Sequence, residues 1–483
     1  MNRKFKKLLR NPKLFFSDMY AKRSLQLKKV APTIYQGKYQ YTVIAAVFNV
    51  ELYLDDFFTS MVNQSLLFEN HIHLIMVDDG SNDKSAEIIH RWQKKYPKNI
   101  HYHYKTNGGQ STARNLGIEC VQTQWITFID PDDYIHPDYF KIIDQTLASD
   151  NKLVAAVGNL KFYYENQKMV KDTHPLRYRF EKKLTKLPCH DLNNHINLSV
   201  STTFFRNSEI ESGGIRFDAR VKPNFEDGKF IADYFLHTTG TVAFVKDAVY
   251  FYRKREDGTS TLDTAWQRFE KFYDVLVYGK LAMLEQYQNQ LGYIPKHVQR
   301  TVLYDMSWYV KYLLDAPEKL NFLNSEQKSR FLKLCDVLFT FIDASTILEF
   351  NLAGIWFMHK VGMLGAFKHE APAFQIGYIE NIDREQKQIC LRYFTYFEQN
   401  TESFQINGVD ITPNYRKVVR HNFGEELFVY EVRAWLAYGD IDSKLALYID
   451  GKQARLTLKG KQYKTAIAIK EIIKGFRPST KYV

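Results

Sequence analysis

Three short runs decide the fold: Ile75-Met-Val-Asp-Asp-Gly-Ser-Asn-Asp83, Asn107-Gly-Gly-Gln-Ser-Thr-Ala-Arg-Asn115 and Phe128-Ile-Asp-Pro-Asp-Asp133. Apolar residues 74–77 read as a buried strand that spills at its carboxyl end into Asp79, Ser81 and Asp83. Residues 125–129 repeat the pattern and end at Asp130, Asp132 and Asp133. In open α/β sheets, ligands bind outside the carboxyl ends of the strands. Two strands that deliver carboxylates to one edge therefore predict a site, and one suited to a cation.

Working outward, residues 41–48 are β-prone, 52–66 amphipathic and helical, 72–77 a strand and 85–96 a helix. A short strand at 100–104, a helix at 111–121 and a strand at 125–129 follow. This alternation with short turns predicts an α/β domain with a largely parallel sheet. Further on, 138–149 reads as a helix and 153–162 as a strand, followed by a polar, mostly irregular stretch to about 197. Strands at 200–205, 213–217 and 242–252, with a helix near 227–237, continue the sheet. Periodicity is helical from 265 to about 367, interrupted by a loop at 315–324. Beyond 374, Asn407-Gly408 and Asp450-Gly451 sit between alternating apolar residues, a strong hairpin signal that suggests a β-sandwich-like domain. The expected division is a basic leader at 1–40, a catalytic domain at 41–262, a helical domain at 263–368 and a β-sandwich-like domain at 369–483.

A chain of 483 residues is too long for one core, and its apolar and charged content is that of a folded soluble protein. The net charge of +12 is uneven: the first 29 residues hold ten Lys or Arg against Asp18 alone. Leu8, Leu9, Leu14, Phe15, Phe16 and Met19 lie among these charges, the composition of an interfacial basic helix. Residues 1–30 are therefore a candidate contact for an anionic membrane surface, with a solvated basic tail as the equal alternative; no nucleic-acid partner is expected. No stretch offers the roughly 20 apolar residues of a membrane span, and no signal peptide is recognisable. Cys120, Cys189, Cys335 and Cys390 are scattered without metal or disulfide spacing. The expected setting is cytoplasmic, peripheral on the inner face of the cytoplasmic membrane.

Alternate carboxylates such as Asp130 and Asp132 direct oxygens into one small volume, and Mg²⁺ or Mn²⁺ prefers oxygen ligands shared with substrate phosphates. An Asp-x-Asp alone is weak, because turns are rich in Asp. Here it is accompanied by Gly108-Gly109, where backbone can approach a ligand closely, and by a helix N-terminus, which favours anions. Together these describe a pocket for a metal-bridged nucleotide diphosphate. Neither a Walker loop nor a dinucleotide fingerprint is present. Cys189-His190-Asp191 with His195 has no supporting metal ligands, and His71, His73, His101 and His103 read as exposed strand residues.

The ordered set Val47-Phe-Asn-Val-Glu51, Val77 to Asp83, Asn107 to Asn115, Phe128 to Asp133, Asn224-Phe-Glu-Asp227 and Tyr252-Arg-Lys-Arg-Glu-Asp-Gly-Thr-Ser-Thr261 resembles inverting family-2 glycosyltransferases of GT-A fold. The resemblance covers roughly residues 40–262; Ala46 stands where the family commonly has proline. It implies that Phe48, Asn49 and Glu51 line the nucleotide pocket, with Ser81, Asn107, Gly108 and Arg114 completing it, and that Asp79 receives the base. It implies that Asp130 and Asp132 hold Mn²⁺ or Mg²⁺ on the diphosphate, with Arg253, Arg255 and Ser260 beside it. Asp227 matches the general base, with Glu226 its competitor. The implied reaction moves a sugar from a UDP-sugar onto a hydroxyl of a growing bacterial surface polysaccharide, of capsule or teichoic-acid-like type. The rivals are a catalytically silent glycan-binding module and a nucleotidyltransferase, whose glycine-rich basic signature near the first strand is missing. The layout resembles polymerases in which a further C-terminal catalytic module follows. The helical and β-rich regions are the expected surfaces for such a module or for a homo-oligomer.

Overall fold

The computed structural model describes residues 34–254, 264–398 and 401–476. The chain divides after Trp266 into two compact units. In the first, a ten-stranded sheet has β1 (Tyr41–Val47) paired in parallel with β2 (Ile72–Asp78) and β4 (Trp125–Phe128). Beyond β2 lies β3 (Ile100–Tyr104), also parallel. On the other side, β9 (Thr203–Arg206) runs antiparallel between β4 and β6 (Leu153–Tyr164), and β6 pairs in parallel with β10 (Thr241–Lys254). The short β5 (Tyr134–Ile135) joins β10 antiparallel.

A strand covered on both faces reads as a continuous apolar run, and β1 is one. Tyr41, Val43, Ala45 and Val47 share a core with α1 (Leu54–Val62), α2 (Ser85–Lys95) and α4 (Tyr139–Ala148). Ile44, with Ile75 and Val77, faces the opposite core, which contains residues of α3 (Gln110–Glu119) and α5 (Glu226–His237). Gly117 packs so closely on Ile44 that a Cβ there would collide with the isoleucine. Its absence lets α3 lie against β1 and brings the N-terminal turn of α3 to the carboxyl edge of the sheet. The fold is the mixed α/β, mostly parallel architecture expected from the alternation.

The structure corrects three local expectations. Residues 213–217 are not a strand. Ile215 and Phe217 are buried as alternation demands, but both backbone groups of Phe217 bond to the side chain of Asn115, each at 2.8 Å. The polar stretch after residue 162 contains β7 (Met169–Lys171) and β8 (Leu184–Pro188), which pairs antiparallel with β10. His71 is buried, not exposed: one ring nitrogen meets the Tyr39 carbonyl at 2.8 Å and the other accepts from the Gly37 amide at 3.1 Å.

The second unit combines helices with two sheets. Its helices include α6 (Lys296–Leu313), α7 (Ser325–Thr340) and α8 (Phe357–Gly362), which continues into a π-turn at Met363–Phe367. Asn324 and Gln327 form a reciprocal capping box that starts α7 where the expected loop ends. One sheet is built on Ile376–Asp383, Gln388–Thr395, Tyr415–Phe423 and Glu426–Ala437, the other on Glu402–Ile406 and Lys444–Ile449. Leu391, Val432 and Leu436 of the first sheet share one core with Phe404, Leu445 and Leu447 of the second, as in a sandwich. Both hairpin dipeptides take the left-handed backbone expected: Asn407 and Gly408 at φ 51° and 79°, Asp450 and Gly451 at 51° and 73°. Among the described residues, no helix is long and apolar enough to cross a membrane.

Candidate active site

The loops after β1 and β2 are laced together at the carboxyl edge. The Asn49 amide donates to Ser81 Oγ at 3.1 Å, and the Asn82 amide donates to Asn49 Oδ1 at 3.0 Å. Glu51 Oε2 accepts from the Lys84 amide at 2.7 Å, while the Glu51 amide donates to Asp83 at 2.9 Å. These carboxylates sit at the start of α2, where the macrodipole favours negative charge. Phe48 is left half exposed at the mouth. Asp79 is buried and builds the next wall: it accepts from the amides of Gly108 at 2.9 Å and Gly109 at 2.7 Å, and from Lys105 Nζ at 2.5 Å. Gly109, at φ 92°, turns the chain into α3, and Asn107 stands exposed beside it.

At the centre lies Arg114, 2% exposed, on the first turns of α3. Its Nη1 donates to Asp227 Oδ1 at 2.7 Å and lies 3.8 Å from Glu226; its Nη2 donates to Asp130 Oδ1 at 3.0 Å. The Gln110 side-chain oxygen, once the amide is oriented to suit its neighbours, also accepts from the guanidinium. The faces of Phe217 and Phe128 flank it, with centroids at 5.2 and 6.0 Å. One buried cation thus joins the carboxylate that ends β4 to two carboxylates that open α5. Asp130 is further fixed by Ser201 Oγ at 2.8 Å, and Asp227 by the Val200 amide at 3.1 Å. Asp130, Glu226 and Asp227 still keep 29%, 15% and 21% side-chain exposure, so each stays within reach of solvent and of a ligand.

Burial shapes the titration of this cluster. It pushes Glu226 up to about 8, helped by the neighbouring Asp227. It raises Asp227 too, against the opposing pull of Arg114. Burial disfavours the Arg114 charge, but Asp227, Asp130 and Glu226 outweigh it and hold the guanidinium protonated.

Asp132 and Asp133 are separated by their surroundings. Asp133, 1% exposed, accepts from Tyr250 Oη and the Arg253 amide, each at 2.7 Å; burial and the nearby Asp132 and Asp130 hold its carboxyl well above the usual range. It latches the acidic loop to β10. Arg253 strengthens that latch: its three guanidinium nitrogens donate to the Asp132 carbonyl, Glu165 and Asp56, each at 2.8 Å. Rings of Tyr53, Tyr134 and Tyr163 surround it. Arg255 and Ser260 lie outside the described residues. Sequence reasoning missed Gln110, Ser201, the Val200 amide and Tyr250. Gln110 was within reach, being one helical turn before Arg114; the others come from a distant 3₁₀ turn (Val200–Thr202) and from β10 and had no local signal.

Residues 42–209 match the family model described as glycosyl transferase family 2. The first unit carries a family-2 glycosyltransferase domain. Relatives of this chain include the minor teichoic acid biosynthesis protein GgaB of Bacillus subtilis (strain 168), 32% identical over 313 residues. That match covers 64% of this chain and 33% of the relative. GgaA of the same organism is 27% identical over 356 residues, covering 72% of this chain and 74% of the relative. The chain therefore spans about a third of the first relative's length and about three quarters of the second's. Among solved structures, residues 1–349 of S. aureus TarS in complex with UDP-GlcNAc align with a TM-score of 0.52 at 18% identity, over 68% of this chain and 87% of that one. The likeness places the family-2 domain in the same fold.

Proposed function

We propose that the chain transfers a sugar from a UDP-sugar, with inversion, onto a hydroxyl of a growing surface polymer of teichoic-acid type. The observation that carries this reading is the Arg114 bridge, which sets a donor-side carboxylate, Asp130, and an acceptor-side carboxylate, Asp227, around one buried cation. GgaB and GgaA are named for minor teichoic acid biosynthesis, which supports the class of acceptor. The TarS structure holds UDP-GlcNAc, which supports a UDP-linked donor.

A divalent cation fits the donor set. Among the described residues, no three His, Cys, Asp or Glu side chains gather to enclose an ion. Asp130 and Asp132 at one strand end instead suit an ion that takes one or two carboxylates and completes its shell with substrate phosphates and water, as Mg²⁺ and Mn²⁺ do. Bound there, the cation would neutralise charge on the departing diphosphate.

The chain's own residues do the rest. Asp227, oriented by Arg114 and the Val200 amide, accepts the proton of the acceptor hydroxyl as its oxygen attacks the anomeric carbon. The sugar–phosphate bond breaks on the opposite side, and its electrons leave on UDP. Glu226, with its carboxyl pushed up to about 8, is mostly protonated at neutral pH and suited to donate a hydrogen bond rather than to serve as base.

The test is UDP release from a panel of UDP-sugars with Mn²⁺ or Mg²⁺, repeated with EDTA. One donor should be turned over with metal and none without it. Metal-independent turnover would remove the cation from the mechanism. Silence with every donor, in the presence of teichoic-acid acceptors, would favour a glycan-binding role.

A further inference from the structure

Within the second unit, a cleft of about 450 Å³ opens between α7 and the β-rich part, within the size range of small-ligand sites. Ser329, Lys333 and Asp336 recur at helical spacing on α7 and so share its outer face, while Phe331, Cys335 and Leu338 are buried. The floor is apolar: Phe367 meets Phe423 edge to face at 5.1 Å. Tyr396 lines one wall, half-buried. It sits directly over Gly365 of the π-turn, where any Cβ would collide with it, so the glycine is what seats the ring.

The charges decide the ligand. Asp336, Glu425 and Glu426 face Lys328 and Lys333, with His369 beside them. Lys328 is already paired with Glu425 at 2.5 Å. The lining is thus balanced to slightly acidic, which disfavours a phosphate-rich polymer. A mixed set of carboxylates, hydroxyls and one unmatched lysine around an aromatic ring instead suits a neutral polyhydroxylated ligand. Carboxylates can accept from sugar hydroxyls, the Lys333 ammonium and Ser329 hydroxyl can donate to sugar oxygens, and an aromatic ring such as that of Tyr396 can pack on the apolar C–H side of a pyranose.

We propose that this cleft is a saccharide-binding site, separate from the transferase site, that takes a neutral stretch of glycan. The experiment uses the full chain and neutral tetrasaccharides (β-1,4-linked N-acetylglucosamine, β-1,4-linked glucose and α-1,4-linked glucose), with an oligo(glycerol phosphate) as the anionic control. Binding is read by calorimetry and saturation-transfer NMR for wild type, Tyr396→Ala, Tyr396→Phe and Asp336→Asn. At least one tetrasaccharide should bind. Tyr396→Ala and Asp336→Asn should each weaken it about tenfold or more, while Tyr396→Phe retains most of the affinity and shows that the wall still folds. UDP release without acceptor should be unchanged in all three variants, which separates this site from the proposed chemistry. Binding that survives Tyr396→Ala, no binding to any tetrasaccharide, or preference for the anionic oligomer would each overturn the assignment.

Discussion

Replacing Arg114 with glutamine tests how the site is held. The substitution removes a buried cation bonded to Asp130 and Asp227 and leaves Glu226, Asp227 and Asp130 facing one another. Removing one partner of a buried ion pair costs about 3–5 kcal/mol. Asp130 and Asp227 keep 29% and 21% side-chain exposure, so water relieves part of the penalty and about 3 kcal/mol is the appropriate figure. For a unit of this size, each kcal/mol lowers the melting temperature by about 2–4 °C, which predicts a fall of about 6–12 °C at pH 8. The deficit has a direction with pH. Without Arg114 the folded-state carboxylates bind protons more readily, so the variant recovers as pH falls toward 5 and their mutual repulsion is titrated away. Differential scanning calorimetry between pH 5 and 9 measures both features. A variant that melts within about 2 °C of wild type at pH 8, or whose deficit grows toward pH 5, would refute the account of Arg114 as the cation that organises the site.

Other substitutions separate the roles of the two carboxylates on α5. Asp227→Asn keeps the size and one acceptor oxygen, so UDP-sugar affinity should stay within a few-fold while turnover falls about 10²-fold or more; equal turnover would remove Asp227 as base. Glu226 titrates in the folded state near 8 against an ordinary 4.5, so it favours folding while protonated and that contribution is lost as pH rises from about 4.5 to 8. Glu226→Gln should therefore gain stability relative to wild type at pH 8–9 and lose that advantage near pH 5, as read from melting curves; a constant offset would contradict it. Asp132→Asn should raise the Mn²⁺ concentration needed for half-maximal UDP release, and an unchanged metal titration would leave Asp130 as the sole carboxylate ligand.

Much of the fold was legible because β1, β2 and β4 are buried on both faces and so leave largely apolar runs, those of β2 and β4 ending abruptly in acids. The acidic clusters were visible for the same reason. Their division of labour was not. Asp132 and Asp133 are adjacent and chemically identical, and it is the closeness of Tyr250 and the Arg253 amide, more than a hundred residues on, that makes Asp133 a latch. Arg253 reads from its motif as a phosphate contact, whereas here its guanidinium braces the acidic loop against Asp56 and Glu165. Residues 213–217 alternate like a strand because two of them face a core, but Asn115 supplies the backbone partners a neighbouring strand would have offered. Periodicity reports burial; it does not report where the hydrogen bonds go.

The Arg114 cluster also constrains the order in which ligands can arrive. Asp130 and Asp227 share a single guanidinium with a mostly protonated Glu226 beside them, so carboxylates outnumber the one cation in the cluster. A bare nucleotide diphosphate entering there meets like charge. A divalent ion, or a diphosphate already carrying one, meets attraction. On the proposed reading a cation-first or cation-paired entry follows, and donor affinity should collapse on chelation before any step of the chemistry is reached.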